Sequence, residues 1–382
     1  MNSVRDIAKL ENSAVLVRTS LNVPIENGKV VNDYRLRRAL PTIRFLSEHG
    51  ARVILISHIG EAGTETLAPV AETLGKLISR VSFCPASVGA VARDAIRQAS
   101  PGDILVLENL RRNRGEVMND PAFAAQIAEL GDVFVQDSFD TCHRSHASIV
   151  GVPKLLPSYA GLQLEEEVRE LSRALVPEQP SLAVIGGAKF STKEAVLEAL
   201  LERYTNVFVG GALANDFLQA AGHGVGKSLV GSDGTDAIRA LLANPKLVLP
   251  VDSRVVPASI MGTKDMVAHA RVAGADQVTP DEVILDHGPG TELLLAHLAQ
   301  KAKTILWNGP LGNYENGFVS STDALAQSVA DSGAHSVLGG GDTVAAVEVL
   351  GLLPKFSFVS TGGGAMLDFL AKGTLPGIAA LE

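Results

Sequence analysis

The sequence is short of cysteine. It has two in 382 residues, Cys84 and Cys142, too few for a disulfide framework and too far apart for a paired zinc motif. Aromatic residues are scarce at 4%, with a single tryptophan, and the formal net charge is −9. Nucleic-acid binding needs stacking surfaces and a basic excess, so that class is excluded. No run approaches 18 consecutive apolar residues, which excludes a membrane-spanning helix. The start, Met1-Asn2-Ser3-Val4-Arg5-Asp6, leads into no apolar signal core, so a cytoplasmic location is expected. There is no G-x-G-x-x-G and no G-x-S-x-G, which counts against a standard dinucleotide site and a nucleophile elbow.

What is present is unevenly spread. Residues 1–150 carry 17 Lys+Arg, 14 of them Arg, against 17 Asp+Glu. The remaining 232 residues hold 16 basic and 25 acidic side chains, hence the whole net charge, and 28 of the 37 glycines. One part is arginine-weighted and the other glycine-weighted. Short β-branched runs recur at Ala14–Arg18, Arg52–His58, Asp103–Glu108 and Asp132–Asp137. They resume at Leu182–Ile185, Asn206–Val209, Lys246–Val251, Lys303–Trp307, Ser336–Leu338 and Phe356–Ser360. Continuous apolar runs of this kind suit strands covered on both faces. Helical stretches lie between many of them, such as Arg35–Glu48, Leu67–Leu77, Thr192–Tyr204 and Ala212–Ala221. The alternation predicts an α/β chain with doubly wound parallel sheets, and the strand count predicts two domains. The joint is expected at the amphipathic helix Gln163–Leu175 and the proline-bounded loop Pro177-Glu178-Gln179-Pro180.

Ligands in such folds sit beyond the carboxyl ends of strands. The early strands end in Asn22, Ser57-His58, Glu108-Asn109-Leu110-Arg111 and Asp137-Ser138-Phe139, the last running on to His143-Arg144. Arginine forks match carboxylate and phosphate groups, which singles out Arg111 and Arg144. The later strands end in Gly186-Gly187-Ala188-Lys189, Gly210-Gly211, Trp307-Asn308-Gly309-Pro310, Gly339-Gly340-Gly341-Asp342-Thr343 and Gly362-Gly363-Gly364. Glycine lets backbone N–H groups approach an anion, and a helix starting there adds its dipole. Asp342 offers a carboxylate for hydrated magnesium, and Thr343 a hydroxyl for a phosphate oxygen. Lys189 and Lys193 share one face if a helix begins by Lys189. These features point to a nucleotide.

Three patterns mislead. Ala221-Gly222-His223-Gly224-Val225-Gly226-Lys227-Ser228 approximates a phosphate loop, but lacks the first glycine and follows a helical stretch, so it is rejected. Cys142, His143 and His146 have no second ligand pair to complete a zinc site. Trp307 reads as a packed anchor beneath its loop.

Taken in order, "VRTSLNVPIENGKVVNDYRLRRALPTI", "SHIG", "LENLR", "GDVFVQDSF", "HRSHAS", "VGVPKLLPSYAG", "GGAKFSTKEAVLEALL", "VGGALANDFL", "GKSLV", "LPVD", "LDHGPGT", "AKTILWNGPLGNYE", "GGGDT", "STGGGA" and "LPGIAAL" run almost end to end. The chain so read resembles the phosphoglycerate kinase family. The resemblance implies two Rossmann-like doubly wound parallel-sheet domains joined by a hinge helix, with a cleft between them. It implies an acid-binding domain at 1–162, a hinge at 163–180, a nucleotide-binding domain at 181–368, and a segment at 369–382 returning to the first. The implied reaction passes a phosphoryl group between 1,3-bisphosphoglycerate and ADP, giving 3-phosphoglycerate and ATP with Mg2+ in glycolysis and gluconeogenesis. A hinge-bending monomer with small-molecule substrates is implied.

By resemblance, Arg35, Lys189 and Gly362, Gly363 and Gly364 attend the transferring phosphoryl group. Ser20, Leu21, Asn22, Arg35, His58, Ile59, Gly60, Glu61, Arg111 and Arg144 fall at the acid. Lys193, Gly210, Gly211, Gly288, Glu315, Gly340, Gly341, Asp342 and Thr343 fall at the nucleotide, with Asp342 serving the metal.

The acid side departs from the family pattern. Where the family has R-V-D-F-N, this chain has Arg18-Thr19-Ser20-Leu21-Asn22, and S-H-L-G-R becomes Ser57-His58-Ile59-Gly60-Glu61. G-T-A-H-R becomes Asp140-Thr141-Cys142-His143-Arg144. An arginine is thus replaced by a carboxylate, and a second acid is added. Two rescues are open: Arg112 and Arg114 pair with Glu61 or supply a replacement cation, or the acid bound here lacks the 3-phosphate. Two other readings follow: a homologue acting on a different carboxylic acid, or a nucleotide-binding protein with little catalysis. The retained Arg35, Lys189, Lys193 and Asp342 argue against the second.

Overall fold

The computed structural model describes residues 1–231 and 234–382. It divides into two compact units, Met1–Arg169 with Thr374–Glu382, and Glu170–Gly373.

The first unit is built on six strands, β1 (Ala14–Arg18), β2 (Arg52–Ile56), β3 (Val81–Cys84), β4 (Ile104–Leu107), β5 (Val133–Gln136) and β6 (Ser158–Ala160). They run parallel in the order β3-β4-β2-β1-β5-β6. Every residue of β1 is buried, as a central strand covered on both faces requires. Helix α1 (Tyr34–Glu48) lays Leu36, Ala39, Leu40, Ile43 and Leu46 on that sheet. The chain leaves β1 towards one edge and β5 towards the other, so their carboxyl ends form a topological switch point.

The second unit repeats this plan with β7 (Ser181–Ile185), β8 (Asn206–Val209), β9 (Leu247–Val248), and, further on, β13 (Thr304–Asn308), β14 (His335–Gly339) and β15 (Phe358–Val359). Their parallel order is β9-β8-β7-β13-β14-β15, placing the switch point between β7 and β13. Between β9 and β13 the chain forms an antiparallel sheet of β10 (Asp252–Pro257), β11 (Arg271–Gly274) and β12 (Glu282–His287) in the order β11-β10-β12. The sequence reading took Lys246–Val251 as one strand and missed this sheet. Its central strand buries alternate residues, the signature of a one-sided sheet, so it lacks a continuous apolar run.

Helix α2 (Leu162–Ala174) carries the chain from the first unit into the second, between Arg169 and Glu170. The terminal segment rejoins the first unit, where the Gly377 N–H donates to the Cys142 carbonyl at 2.8 Å. No helix among the described residues is long and apolar enough to cross a membrane.

Candidate active site

In the first unit, the segment after β1 meets the segment after β5 at the switch point. Ser20 Oγ donates to Asp140 Oδ2 at 2.8 Å, and Ser138 Oγ donates to Asp140 Oδ1 at 2.6 Å. Arg35, in the first turn of α1, donates to the Asn22 carbonyl at 2.7 Å and lies 3.7 Å from Asp140. Asn22 Oδ1 in turn accepts from the Gly60 N–H at 3.1 Å. Leu21 and Ile59 bury their side chains in the core and present backbone only.

His58 follows β2, and its Nδ1 lies 3.0 Å from Arg18 Nη2. A guanidinium can only donate, so Nδ1 accepts and the neutral ring carries its proton on Nε2. Burial, then Arg18, Arg111, Arg144 and Arg35, push the His58 pKa far below the usual imidazole range. His58 therefore enters the site as a fixed neutral donor. Arg111 is nearly fully buried; its Nη1 donates to the Gly60 carbonyl at 2.6 Å and pairs with Glu61 Oε2 at 2.9 Å. Arg144 Nη2 approaches Glu61 Oε1 at 4.0 Å.

The expected rescue of Glu61 by Arg112 or Arg114 is corrected. Arg112 pairs instead with Glu108 at 3.2 Å, and Arg114 is exposed on a separate short helix, Arg114–Val117. Sequence reasoning also passed over two side chains that hold this site together. Arg18 is buried and sets the His58 tautomer. Asn109 accepts from the N–H groups of Ile59 and Arg111 and donates to the carbonyls of Ile59 and Glu65. The only sequence signal for either was a polar residue ending a buried strand.

In the second unit a cavity of about 740 Å³ opens beside the β7–β13 switch point, with Gly211, Asn215, Lys227, His287, Leu311 and Asp342 among its walls. The loops after β7 and β13 approach closely: a Cβ on Gly186 would lie 2.3 Å from the Pro310 carbonyl oxygen, so only glycine fits. Gly211 donates to His287 Nε2 at 3.1 Å; burial lowers the His287 pKa to about 4, leaving a neutral acceptor. Of the predicted nucleotide residues, Gly211 and Asp342 line the cavity directly. Gly210 is packed against Leu311 and Phe208 instead, and Gly288 against the Asp252 carboxylate, where a Cβ would lie 2.4 Å from Asp252 Cγ. Glu315 is exposed in the turn Tyr314–Asn316, two residues beyond Asn313 on the cavity wall.

Gly340 and Gly341 open helix α4 (Gly341–Val349). Gly362 precedes helix α5 (Gly363–Lys372), and a Cβ on Gly363 would sit 3.5 Å from Gly340 Cα. Two glycine-opened helix N-termini therefore lie side by side, an arrangement suited to phosphate oxygens. The Thr343 hydroxyl is not available to phosphate as expected: it is fully buried and accepts from the Gly309 N–H at 2.9 Å. The anticipated helical face of Lys189 and Lys193 is also corrected. Phe190–Thr192 form a 3-10 turn, and helix α3 (Glu194–Arg203) begins only after Lys193. Lys189 is exposed, whereas half-buried Lys193 is pulled down to about 8 by burial. Neither ammonium group has a carboxylate partner among the described residues. Lys227, discarded with the false phosphate loop, reaches the cavity because its N–H is tied to the Glu282 carbonyl at 2.7 Å.

The Lys193 environment has a measurable consequence. Below pH 8 the ammonium is already charged; above it, an anionic ligand must draw a proton onto the amine. ADP affinity is therefore expected to weaken as pH rises through about 8, with proton uptake seen by calorimetry in buffers of different ionisation enthalpy. Proton release, or a flat profile between pH 7 and 9.5, would remove Lys193 from the phosphate site.

The phosphoglycerate kinase family model matches residues 4–373. A phosphoglycerate kinase of Pelotomaculum thermopropionicum is 42% identical over 395 aligned residues, covering 99% of this chain and 98% of the relative. That of Thermus thermophilus is 44% identical over 384, covering 96% of each. Among solved structures, phosphoglycerate kinase from Coxiella burnetii matches with TM-score 0.86 at 42% identity, over 99% of this chain and 98% of that one. The Pyrococcus horikoshii enzyme matches with TM-score 0.89 at 32% identity, over 100% and 98%. With both parallel sheets and nearly the whole length accounted for, this chain belongs to the phosphoglycerate kinase family, phosphotransferases with a carboxyl group as acceptor.

Proposed function

We propose that this chain transfers a phosphoryl group reversibly between 1,3-bisphosphoglycerate and ADP, with the first unit holding the acid and the second the nucleotide. The observation that carries this reading is the pairing of two unlike half-sites on one chain. One is an arginine and neutral-histidine cluster at the β1–β5 switch point; the other is a glycine-walled cavity with flanking lysines at β7–β13. The comparisons support this reaction over a different acid or a binding protein without catalysis.

Arg35, Arg111, Arg144 and the Nε2–H of His58 bind and orient the acid, with Asn22 fixing Arg35 and Gly60. Lys193 and the N–H groups of Gly340, Gly341 and Thr343 take nucleotide phosphates, and Glu315 the ribose. Lys189, Arg35 and the N-terminus opened by Gly362, Gly363 and Gly364 neutralise charge on the phosphoryl group in flight. Positioning and charge stabilisation meet the main demands of such a transfer, so no covalent intermediate on the protein is needed.

Asp342 fits a magnesium ion held mainly through nucleotide phosphates and water. It is exposed on the cavity wall, and no cluster of three His, Cys, Asp or Glu side chains forms a separate cage among the described residues. When bound, Mg2+ supplies charge neutralisation on the nucleotide phosphates. Both cysteines are buried free thiols, which agrees with the reducing cytoplasm as the working location. A coupled assay with ATP, Mg2+ and 3-phosphoglycerate, repeated over a panel of small carboxylic acids, tests the reading. Turnover selective for 3-phosphoglycerate is expected; selective turnover of another acid, or of none, would overturn it.

A further inference from the structure

Glu61 stands where a cation is expected, and its geometry gives that change a function. Its two carboxylate oxygens face the two arginines assigned to the acid: Oε2 is 2.9 Å from Arg111 Nη1, and Oε1 is 4.0 Å from Arg144 Nη2. A carboxylate between two guanidinium groups presents the same charge and the same oxygen acceptors as a small anionic ligand there.

The partners differ in their freedom to move. The Arg111 side chain is 3% exposed and is held by the Gly60 carbonyl, whereas the Glu61 side chain is 79% exposed. Among the described residues Glu61 has no other partner, and it lies in a bend between Gly60 and Gly63, both at positive φ. Glu61 can therefore turn into solvent at little desolvation cost of its own, and the buried Arg111 charge it uncovers is left for another anion to neutralise.

The local charge balance makes this matter. Arg35, Arg111 and Arg144 face Glu61 and Asp140, while Arg18 is buried beside the Glu116–Ser148 pair. Burial lowers both His58 and His146, the latter to about 4, so neither adds a charge near neutral pH. Three guanidinium groups against the carboxylates of Glu61 and Asp140, with the Glu65 carboxylate beside Gly60, are poorly matched to a phosphorylated acid bearing about three negative charges, unless a carboxylate withdraws.

We infer that Glu61 is an internal anion that occupies Arg111 and Arg144 in the acid-free protein and must swing out for the substrate's phosphate to bind, so that this residue sets acid affinity. The inference rests on the acid-side reading above. The test uses the full chain, with KM for 3-phosphoglycerate at saturating MgATP and inhibition by inorganic sulfate as readouts. Glu61→Gln keeps the shape and removes the charge; it is expected to lower KM and the sulfate Ki together, each about tenfold. Glu61→Asp, which restores the charge, is expected to return both towards the parent values. An unchanged or raised KM in Glu61→Gln overturns the inference, since the carboxylate then does not compete or serves to position the arginines. Arg144→Gln separates the two levels: it is expected to raise KM about tenfold, and no change would overturn the acid-side assignment itself.

Discussion

Replacing Lys189 by alanine is expected to lower kcat about 10³-fold or more while shifting the Kd for ADP by less than about threefold. Lys189 is exposed, sits in extended backbone just before the 3-10 turn, and keeps its side chain outside the core of the second unit. Its loss therefore leaves the scaffold intact. Its proposed task is to meet charge that develops on the phosphoryl group during transfer, and an interaction made only then appears in kcat rather than in ground-state binding. Lys193 makes the contrast. That ammonium is half-buried beside Gly187 and already desolvated, so alanine there is expected to act first on nucleotide affinity. Single-turnover rates with ADP calorimetry on both variants separate the roles. Normal turnover in Lys189→Ala would remove it from the reaction; an equal loss of ADP affinity would move it to ground-state binding.

Much of this architecture is legible in the residues because its physics is local. Ala14–Arg18 and Asn206–Val209 are strands to the residue as read, since a strand buried on both faces is an unbroken apolar run. Helix α1 begins one residue earlier than expected and ends at the same place. Gly186 was read as opening the backbone to an anion, whereas its glycine is required by the Pro310 carbonyl, which a Cβ would meet at 2.3 Å. The losses are equally specific. The central strand β10 only partly buries its residues and β11 is mostly exposed, so neither offers a continuous apolar run and both resemble ordinary loop sequence. Glu61 was visible as a change of sign, but its partners depend on the turn Leu110–Arg112, which points Arg111 inward and sends Arg112 to Glu108. The position of Lys227 depends on a hydrogen bond to a strand 55 residues later in the chain. Such contacts are long-range, and no local spacing encodes them.

Arg18 is the furthest such case, and it supports the second large prediction. Arg18→Met is expected to destabilise the first unit by about 3–5 kcal/mol, the cost of leaving a buried partner charge uncompensated. Arg18 is 1% exposed; its Nε donates to Ser148 Oγ at 3.0 Å and its Nη1 to the Thr19 carbonyl at 2.8 Å. Ser148 in turn donates from Oγ at 2.6 Å and from N at 3.0 Å to Glu116, itself 1% exposed. Burial lowers the Arg18 pKa, while the charges of Glu116 and then Asp140 oppose that shift, and Arg18 reaches Glu116 through the Ser148 hydroxyl. Methionine fills the space and satisfies none of them. For a unit of this size the unfolding midpoint is expected to fall by about 6–20 °C. A second substitution separates stability from positioning. Arg18→Met with Glu116→Gln removes both charges and is expected to recover most of the midpoint, because the penalty lies in the orphaned carboxylate. It is not expected to recover acid affinity, since His58 Nδ1 still lacks the donor that keeps the ring's proton on Nε2. Calorimetric melts and KM for 3-phosphoglycerate on the parent, single and double variants decide the matter. A single variant that melts like the parent would show that the buried cation is dispensable. A double variant that regains the parent KM would show that His58 does not depend on Arg18 for its orientation.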